Sequence, residues 1–365
     1  MSEFNIAQQK ISAITEYQES GVSQAFQKRA HKKLRLLSLL ALVVLTSVVI
    51  DVSIGPGAFS FQTVLEVLLN KASHGVRLEV IIWDYRLPVA ITAVIVGAML
   101  GVAGALMQTL LNNPLAEPFT LGVSSAASFG AALAIVTGIG VLPNIGSILV
   151  TLNAFLFALA TCIILLLMMR LKNVGTQSIV LFGIAIFFAF NALLATMEYG
   201  ASETQLQRIV FWMMGSLGRA SWLQIGWGTL LLLVVLPFCM SRTWRLTALR
   251  LGEETALSMG VDLARLRIEI LLCISLLAAT AVAFVGTIGF VGLVGPHIAR
   301  LLVGEDQRYF IPLSALMGAL MLSVTSIVSK TITPGIIYPI GIITALIGVP
   351  VFIAIIIRHS KERLS

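Results

Sequence analysis

Residues 270–299 read ILLCISLLAATAVAFVGTIGFVGLVGPHIA, thirty positions between Glu269 and Arg300 without one Asp, Glu, Lys or Arg. A helix crosses the hydrocarbon core of a bilayer in about 20 apolar residues, so the run is too long for one span and short for two. Gly286, Gly289, Gly292, Gly295 and Pro296 punctuate its second half, where such residues end or loosen a helix. The spacing predicts two helices, about 267–285 and about 290–303, joined by a short irregular turn. Whether the run counts as one span or two fixes the side of the membrane for everything after it.

The rest of the chain has the same character. Of 365 residues 58% are hydrophobic and 11% charged, with a mean hydropathy of +0.98. Soluble domains carry roughly a quarter charged residues, and most of their exterior must meet water. The composition excludes an ordinary cytoplasmic enzyme, a nucleic-acid-binding domain and a disordered chain, and makes the lipid bilayer the first partner. The net charge of +7 comes from basic residues in short loops between apolar runs, so no nucleic acid is implied. Cys162, Cys239 and Cys273 lie inside apolar stretches and read as inert buried thiols. The polar first 33 residues precede Lys32-Lys33-Leu34-Arg35, and no small-residue cleavage site ends the apolar run that follows. That run is expected to be a retained first span.

Charge-free runs place the spans at about 34–53, 86–111, 178–198, 222–240, 267–285, 290–303, 309–329 and 338–357. Residues 118–169 hold no charge at all and make a helical hairpin, turning at Pro143-Asn144-Ile145-Gly146. Ten spans with an inside N-terminus put eighteen of the 24 basic residues inside. A nine-span count would place Arg300, Arg308 and the basic C-terminus outside, against the positive-inside bias. The expected architecture is an all-α integral membrane protein of ten transmembrane helices over 34–357. A polar cytoplasmic segment, 1–33, and a cytoplasmic tail, 358–365, flank it. The inside loop at about 241–266 is strongly charged. Apolar positions 249, 256, 257 and 261 within it suggest a short amphipathic helix on the cytoplasmic face. The outside segment 199–221 is polar, with Trp212 and Trp222 as candidate interface anchors.

No catalytic cluster is legible. The chain has no G-x-x-x-x-G-K-[ST], no H-E-x-x-H and no G-x-S-x-G, and its four histidines show no metal-ligand spacing. His297 reads as a structural histidine rather than a substrate contact. Asp51, Glu198 and Glu269 fall near span ends, where a carboxylate reaches water, whereas a proton-coupled transporter holds such groups at membrane depth. Gly97, Gly101 and Gly104 form a small-residue stripe that suits close helix packing or a pathway wall. Asn112-Asn113-Pro114-Leu115-Ala116-Glu117-Pro118 is a proline-rich turn in which Glu117 can cap a helix or receive charge.

These segments carry a resemblance. Arg86-Leu87-Pro88, the run from Gly97 to Gln108, Asn113 to Pro118, and Leu121-Gly122-Val123-Ser124 resemble the permeases of bacterial iron-chelate (siderophore, haem) and cobalamin ABC importers. So do Phe211 to Ser216, Leu251-Gly252-Glu253-Glu254 with Met259-Gly260-Val261, Gly289 to Arg300, and Gly348-Val349-Pro350-Val351-Phe352. The blocks stand in order over about 34–357. The resemblance implies a permease without an ATPase site of its own, in the bacterial cytoplasmic membrane. Its partners would be a second permease subunit (a homodimer or a similar paralogue), two ATP-using ATPase subunits and a periplasmic binding protein. It also implies that Leu251, Gly252, Glu253, Glu254, Ala256, Met259 and Gly260 couple to the ATPase, while Arg86 and Lys330 dock the binding protein. Val89 stands where a second docking arginine is usual, so that this docking charge is either missing or supplied elsewhere, as by Arg77. Gly97, Gly101, Gly104, Asn113, Pro114, Glu117, Pro118, Ser124, Ser125 and Ser128 are the pathway or gate candidates. The expected cargo is a ferric siderophore, with haem or cobalamin as the alternatives. An ion-coupled secondary transporter is the rival class, and an integral-membrane enzyme is disfavoured by the missing catalytic cluster. The chain itself is expected to hold no cofactor and no metal.

Overall fold

The computed structural model describes residues 2–57, 59–70, 75–138, 148–169, 176–333 and 335–362, with side chains placed at most positions from Gln27 to Ala354. Among the described residues there are helices and no strand. The chain opens with α1 (Ser2–Ser53), which contains the span expected at 34–53 and whose helical backbone continues back through the polar segment. A short surface helix, α2 (Phe61–Leu69), follows, its first turn capped by Ser60, whose Oγ accepts from the Thr63 N–H at 3.1 Å. Next, α3 (Val76–Glu79) passes through one π turn (Val80–Arg86) into α4 (Leu87–Leu110), forming a single rod. Then come α5 (Val123–Thr137), α6 (Ile148–Met169), α7 (Thr176–Gly200), α8 (Glu203–Met213) and α9 (Trp222–Met240). Two short helices, α10 (Thr243–Arg250) and α11 (Glu253–Ser258), precede α12 (Leu263–Val285), α13 (Val291–Val303), α14 (Gln307–Thr331) and α15 (Ile340–Glu362). The turn expected at Pro143-Asn144-Ile145-Gly146 lies outside the described residues.

Among the described residues seven helices are long and apolar enough to cross a bilayer: Gln27–Ser53, Val76–Leu110, Ile148–Met168, Val180–Gly200, Trp222–Met240, Leu263–Val285 and Gln307–Thr331. Three shorter apolar helices, Val123–Thr137, Val291–Val303 and Ile340–Ala354, stand at the places expected for the third, eighth and tenth spans. The stretch 270–299 breaks as its glycines suggest. Helix α12 stops at Val285, Gly286 turns the chain at φ 84°, and α13 starts after Phe290 at φ 69°. Phe290 is a bulky residue in the left-handed region, an uncommon conformation held here by its surroundings.

The rod α4 is the core of the bundle, buried along most of its length against α12, α13 and α14. Inside a bilayer the hydrophobic effect does not drive helices together, so close packing must do so. The stripe Gly97, Gly101 and Gly104 performs that task. A Cβ at these positions would overlap the carbonyl oxygens of Gly318, Ser314 and Gly292 respectively, which belong to α14 and α13. These three glycines are therefore packing positions. Their neighbours are backbone atoms, which cannot move aside.

Candidate functional site

Four places bear on the expected function, and each can be built from its residues. The first is the charged loop at about 241–266, expected to lie inside, which folds as two helices where one was expected. Gly252, at φ 116°, separates α10 from α11 in a conformation that strains any residue with a Cβ. Leu249, Ala256 and Val261 are buried and anchor the pair, whereas Leu257, from the expected apolar face, is exposed together with Leu251 and Met259. Glu253 and Glu254 stand exposed on the first turn of α11, and the Glu253 carboxylate accepts from Arg267 Nη2 at 2.5 Å. Asp262 caps α12 by accepting the Arg265 N–H at 3.0 Å.

The second place is the turn after α4, joined to the first by one side chain. Arg250, the last residue of α10, donates to Asn112 Oδ1 at 2.5 Å through Nη1 and to Glu305 Oε1 at 2.6 Å through Nη2. Arg300 of α13 pairs with the same Glu305 carboxylate at 3.0 Å. Asn112 itself sits at φ 46°, a conformation Asn tolerates better than most residues. Asn113 is exposed, its Oδ1 accepting the Leu115 N–H at 3.0 Å, Pro114 is half-buried and Pro118 is buried. The Glu117 carboxylate accepts the backbone N–H of Phe290, which places an acid on the N-terminus of α13, where the helix dipole favours it.

The third place consists of two cavities. One, of about 850 Å³, runs beside α15 and is lined by Glu117, Phe119, Phe290, Leu346 and Val349 among others. The other, of about 810 Å³, lies at the end of the bundle that parity assigns to the outside, between α4, α8, α14 and the start of α15. Met214 and Gly341 line the first cavity and Gly215 and Ile340 the second, and Ile340 N–H donates to Gly215 O at 3.2 Å and Gly341 N–H to Met214 O at 3.0 Å. Of the pathway candidates only Glu117 stands on the wall of the cavity beside α15. Ser124 does border a small closed space next to Glu117, but Ser124, Ser125 and Ser128 are all buried among helices, and the Ser125 Oγ accepts from Asn191 Nδ2 at 3.0 Å. They do not form an open wall in this chain.

The fourth is the pair of expected docking cations, each of which has partners within this chain. Arg86 is 3% exposed. Its Nη1 donates to the carbonyls of Val52 and Ser53 at 3.2 Å, and its Nη2 to those of Pro56 and Gly57 at 2.9 Å. The carbonyls that end a helix have no partner within it, so this arginine caps α1, and the guanidinium also lies over the Phe59 ring at 4.8 Å. The Lys330 side chain is 6% exposed and pairs at 2.8 Å with Asp51, whose accessible surface is 0%. The Ser326 Oγ donates to the same carboxylate at 3.0 Å, and Ser323 bonds Ser47 one turn along at 2.9 Å. Asp51 thus does not reach water as expected from its place near a span end, because α14 covers it. Both cations are engaged within this chain. Arg77 and Arg208, in segments expected to lie outside, are exposed.

Sequence reasoning missed α8 and the use of Trp212. The capping box at Ser202 and Gln205 was a visible helix-start signal. Trp212 is buried and supports the Arg219 guanidinium, 5.5 Å from its ring, so it is not an interface anchor. Trp222 is partly exposed and donates from Nε1 to Trp83 O at 3.2 Å. Arg219 also donates from Nη2 to Val285 O at 2.9 Å, and burial lowers its pKa to about 10, which leaves it charged at neutral pH.

An apolar helical bundle with a charged helix pair at one end and two cavities in its wall fits a membrane transport protein. Comparison with known proteins names the kind. Residues 39–358 match the model of the FecCD transport family, and the chain belongs to that family. It is 34% identical over 340 residues to the hemin transport system permease HmuU of Yersinia pestis, covering 92% of this chain and 98% of that one. It is 39% identical over 276 residues to the vitamin B12 import permease BtuC of Vibrio vulnificus, covering 75% and 82%. A solved structure described as an inward-facing metal-chelate type ABC transporter superposes with a TM-score of 0.76 at 30% identity, over 89% of this chain and 99% of that one. The chain is thus an ABC importer permease of the family that handles iron chelates, haem or cobalamin.

Proposed function

We propose that this permease carries a ferric siderophore from periplasm to cytoplasm across a bacterial inner membrane. It would work as one of a pair of permeases, driven by separate ATPase subunits and fed by a periplasmic binding protein. The ten apolar helices would be ten spans, with both termini cytoplasmic. The observation that carries the reading is the Arg250 link. The exposed apolar face of Leu251, Leu257 and Met259, with Glu253 and Glu254 beside it, is tied through Arg250 to the Asn112 turn and to Glu305 beyond α13. A push on that face has a bonded route to both segments that meet at Glu117 and Phe290. Haem and cobalamin, named for two relatives, would use the same machinery.

Affinity purification of the full chain, with Leu257→Glu as the comparison, tests the coupling assignment. The native chain is expected to retain an ATP-binding-cassette ATPase, and the variant to lose it while staying folded. An ATPase held equally by both would overturn the assignment of this face.

A further inference from the structure

The outer cavity has an imbalance of charge that the fold does not use. Its wall includes Arg86, Arg208, Arg219 and Lys330, and no Asp or Glu. Lys330 is neutralised by Asp51, and Arg86 is held on backbone carbonyls. Arg208 and Arg219 have no carboxylate partner among the described residues. Arg219 is fixed by Trp212 and the Val285 carbonyl, and its buried Nε donor has no acceptor. Arg208 projects one helical turn before Trp212, and the rings of Tyr85, Phe211 and Tyr338 complete the wall. A volume of about 810 Å³ lies within the range of pockets that enclose whole small ligands, roughly 300–1,000 Å³. That is far more room than one acidic side chain of a docking protein needs. Clefts lined by one sign of charge concentrate the opposite ion by about 10-fold or more.

We propose that this cavity receives the anionic oxygens of the cargo, carboxylate or phenolate, with Arg208 and Arg219 as the receiving cations. The chain then favours negatively charged iron chelates over neutral ones. This inference rests on the importer reading and adds the charge class of its substrate.

A reactive thiol placed in the cavity tests it without a transport assay. Thr151→Cys lies on the cavity wall, whereas Cys162, Cys239 and Cys273 are buried and give only background. The full chain in nanodiscs is treated with an anionic (sulfonatoethyl) and a cationic (trimethylammonioethyl) methanethiosulfonate. The anionic reagent is expected to react about 10-fold faster than the cationic one, relative to a free thiol, and salt is expected to erase the difference. Arg208→Gln alone should remove part of the preference, and being exposed it leaves the fold intact. Arg219→Gln should remove more. The trianionic iron(III) complex of a tris-catecholate should slow modification, and the neutral complex of a tris-hydroxamate should not. Equal rates for the two reagents, equal protection by the two chelates, or protection by an acidic binding protein but by neither chelate would each overturn the proposal. ATP-driven uptake tests the importer reading separately, so a permease that transports but shows no charge preference loses only this inference.

Discussion

Replacing Lys330 with methionine strands a carboxylate. Asp51 has no accessible surface, and its partners are the Lys330 ammonium at 2.8 Å and the Ser326 hydroxyl at 3.0 Å. Methionine fills the space of the lysine stem but leaves Asp51 with one neutral donor. Breaking one side of a buried ion pair costs about 3–5 kcal/mol, because the remaining charge stays desolvated. At about 1.4 kcal/mol per factor of ten, that lowers the folding constant by about two to nearly four orders of magnitude. Removing both charges, as in Asp51→Leu with Lys330→Met, is expected to be neutral or stabilising, since a well-packed apolar pair avoids the desolvation cost. The assay is SDS-induced unfolding of the purified chain in mixed micelles, followed by tryptophan fluorescence. A Lys330→Met variant within about 1 kcal/mol of the native chain, the range of exposed ion pairs, would refute the reasoning. So would a double variant no more stable than the single. Uptake separates this structural role from docking: if the pair only holds α1 to α14, the double variant regains transport together with stability.

Other substitutions follow the same logic. Arg86→Ala removes four bonds to carbonyls, two at the end of α1 and two in the turn after it, and is expected to destabilise by about 3 kcal/mol or more, with Arg86→Lys failing to restore it, read by the same unfolding assay. Gly101→Val should force α4 from α14 and cost at least about 1–3 kcal/mol, visible as a lower unfolding midpoint. Arg250→Ala, which cuts the link to Asn112 and Glu305, should lower uptake about 10-fold or more while reconstituted ATP hydrolysis continues; equal losses of both would argue against a transmitting role.

Much of the bundle is written in local patterns. The glycines after residue 285 announce the break between α12 and α13, and charge-free runs locate the apolar helices, because both signals depend only on neighbours in sequence. The small-residue stripe is also legible as a packing signal, but its partners are not, since Gly318 and Ser314 lie more than two hundred residues away. The same limit explains the cations. Nothing near Arg86 indicates that the carbonyls of residues 52–57 will surround it, and Lys330 lies 279 residues from Asp51. A basic residue at a span end looks alike whether it faces water or caps a helix. In the inside loop the alternation of apolar and charged residues correctly suggests amphipathic helix. The break at Gly252 divides it into two helices, and Leu257 faces outward while Leu249 and Ala256 stay in.

The central claim is that movement through this chain is driven by nucleotide hydrolysis in a partner. Uptake of an iron-55 chelate into liposomes holding the permease, its co-purifying ATPase and the binding protein addresses it directly. The account predicts uptake that requires ATP on the ATPase side and survives collapse of proton and sodium gradients. Uptake that continues without the ATPase and stops when an ion gradient is dissipated would contradict it.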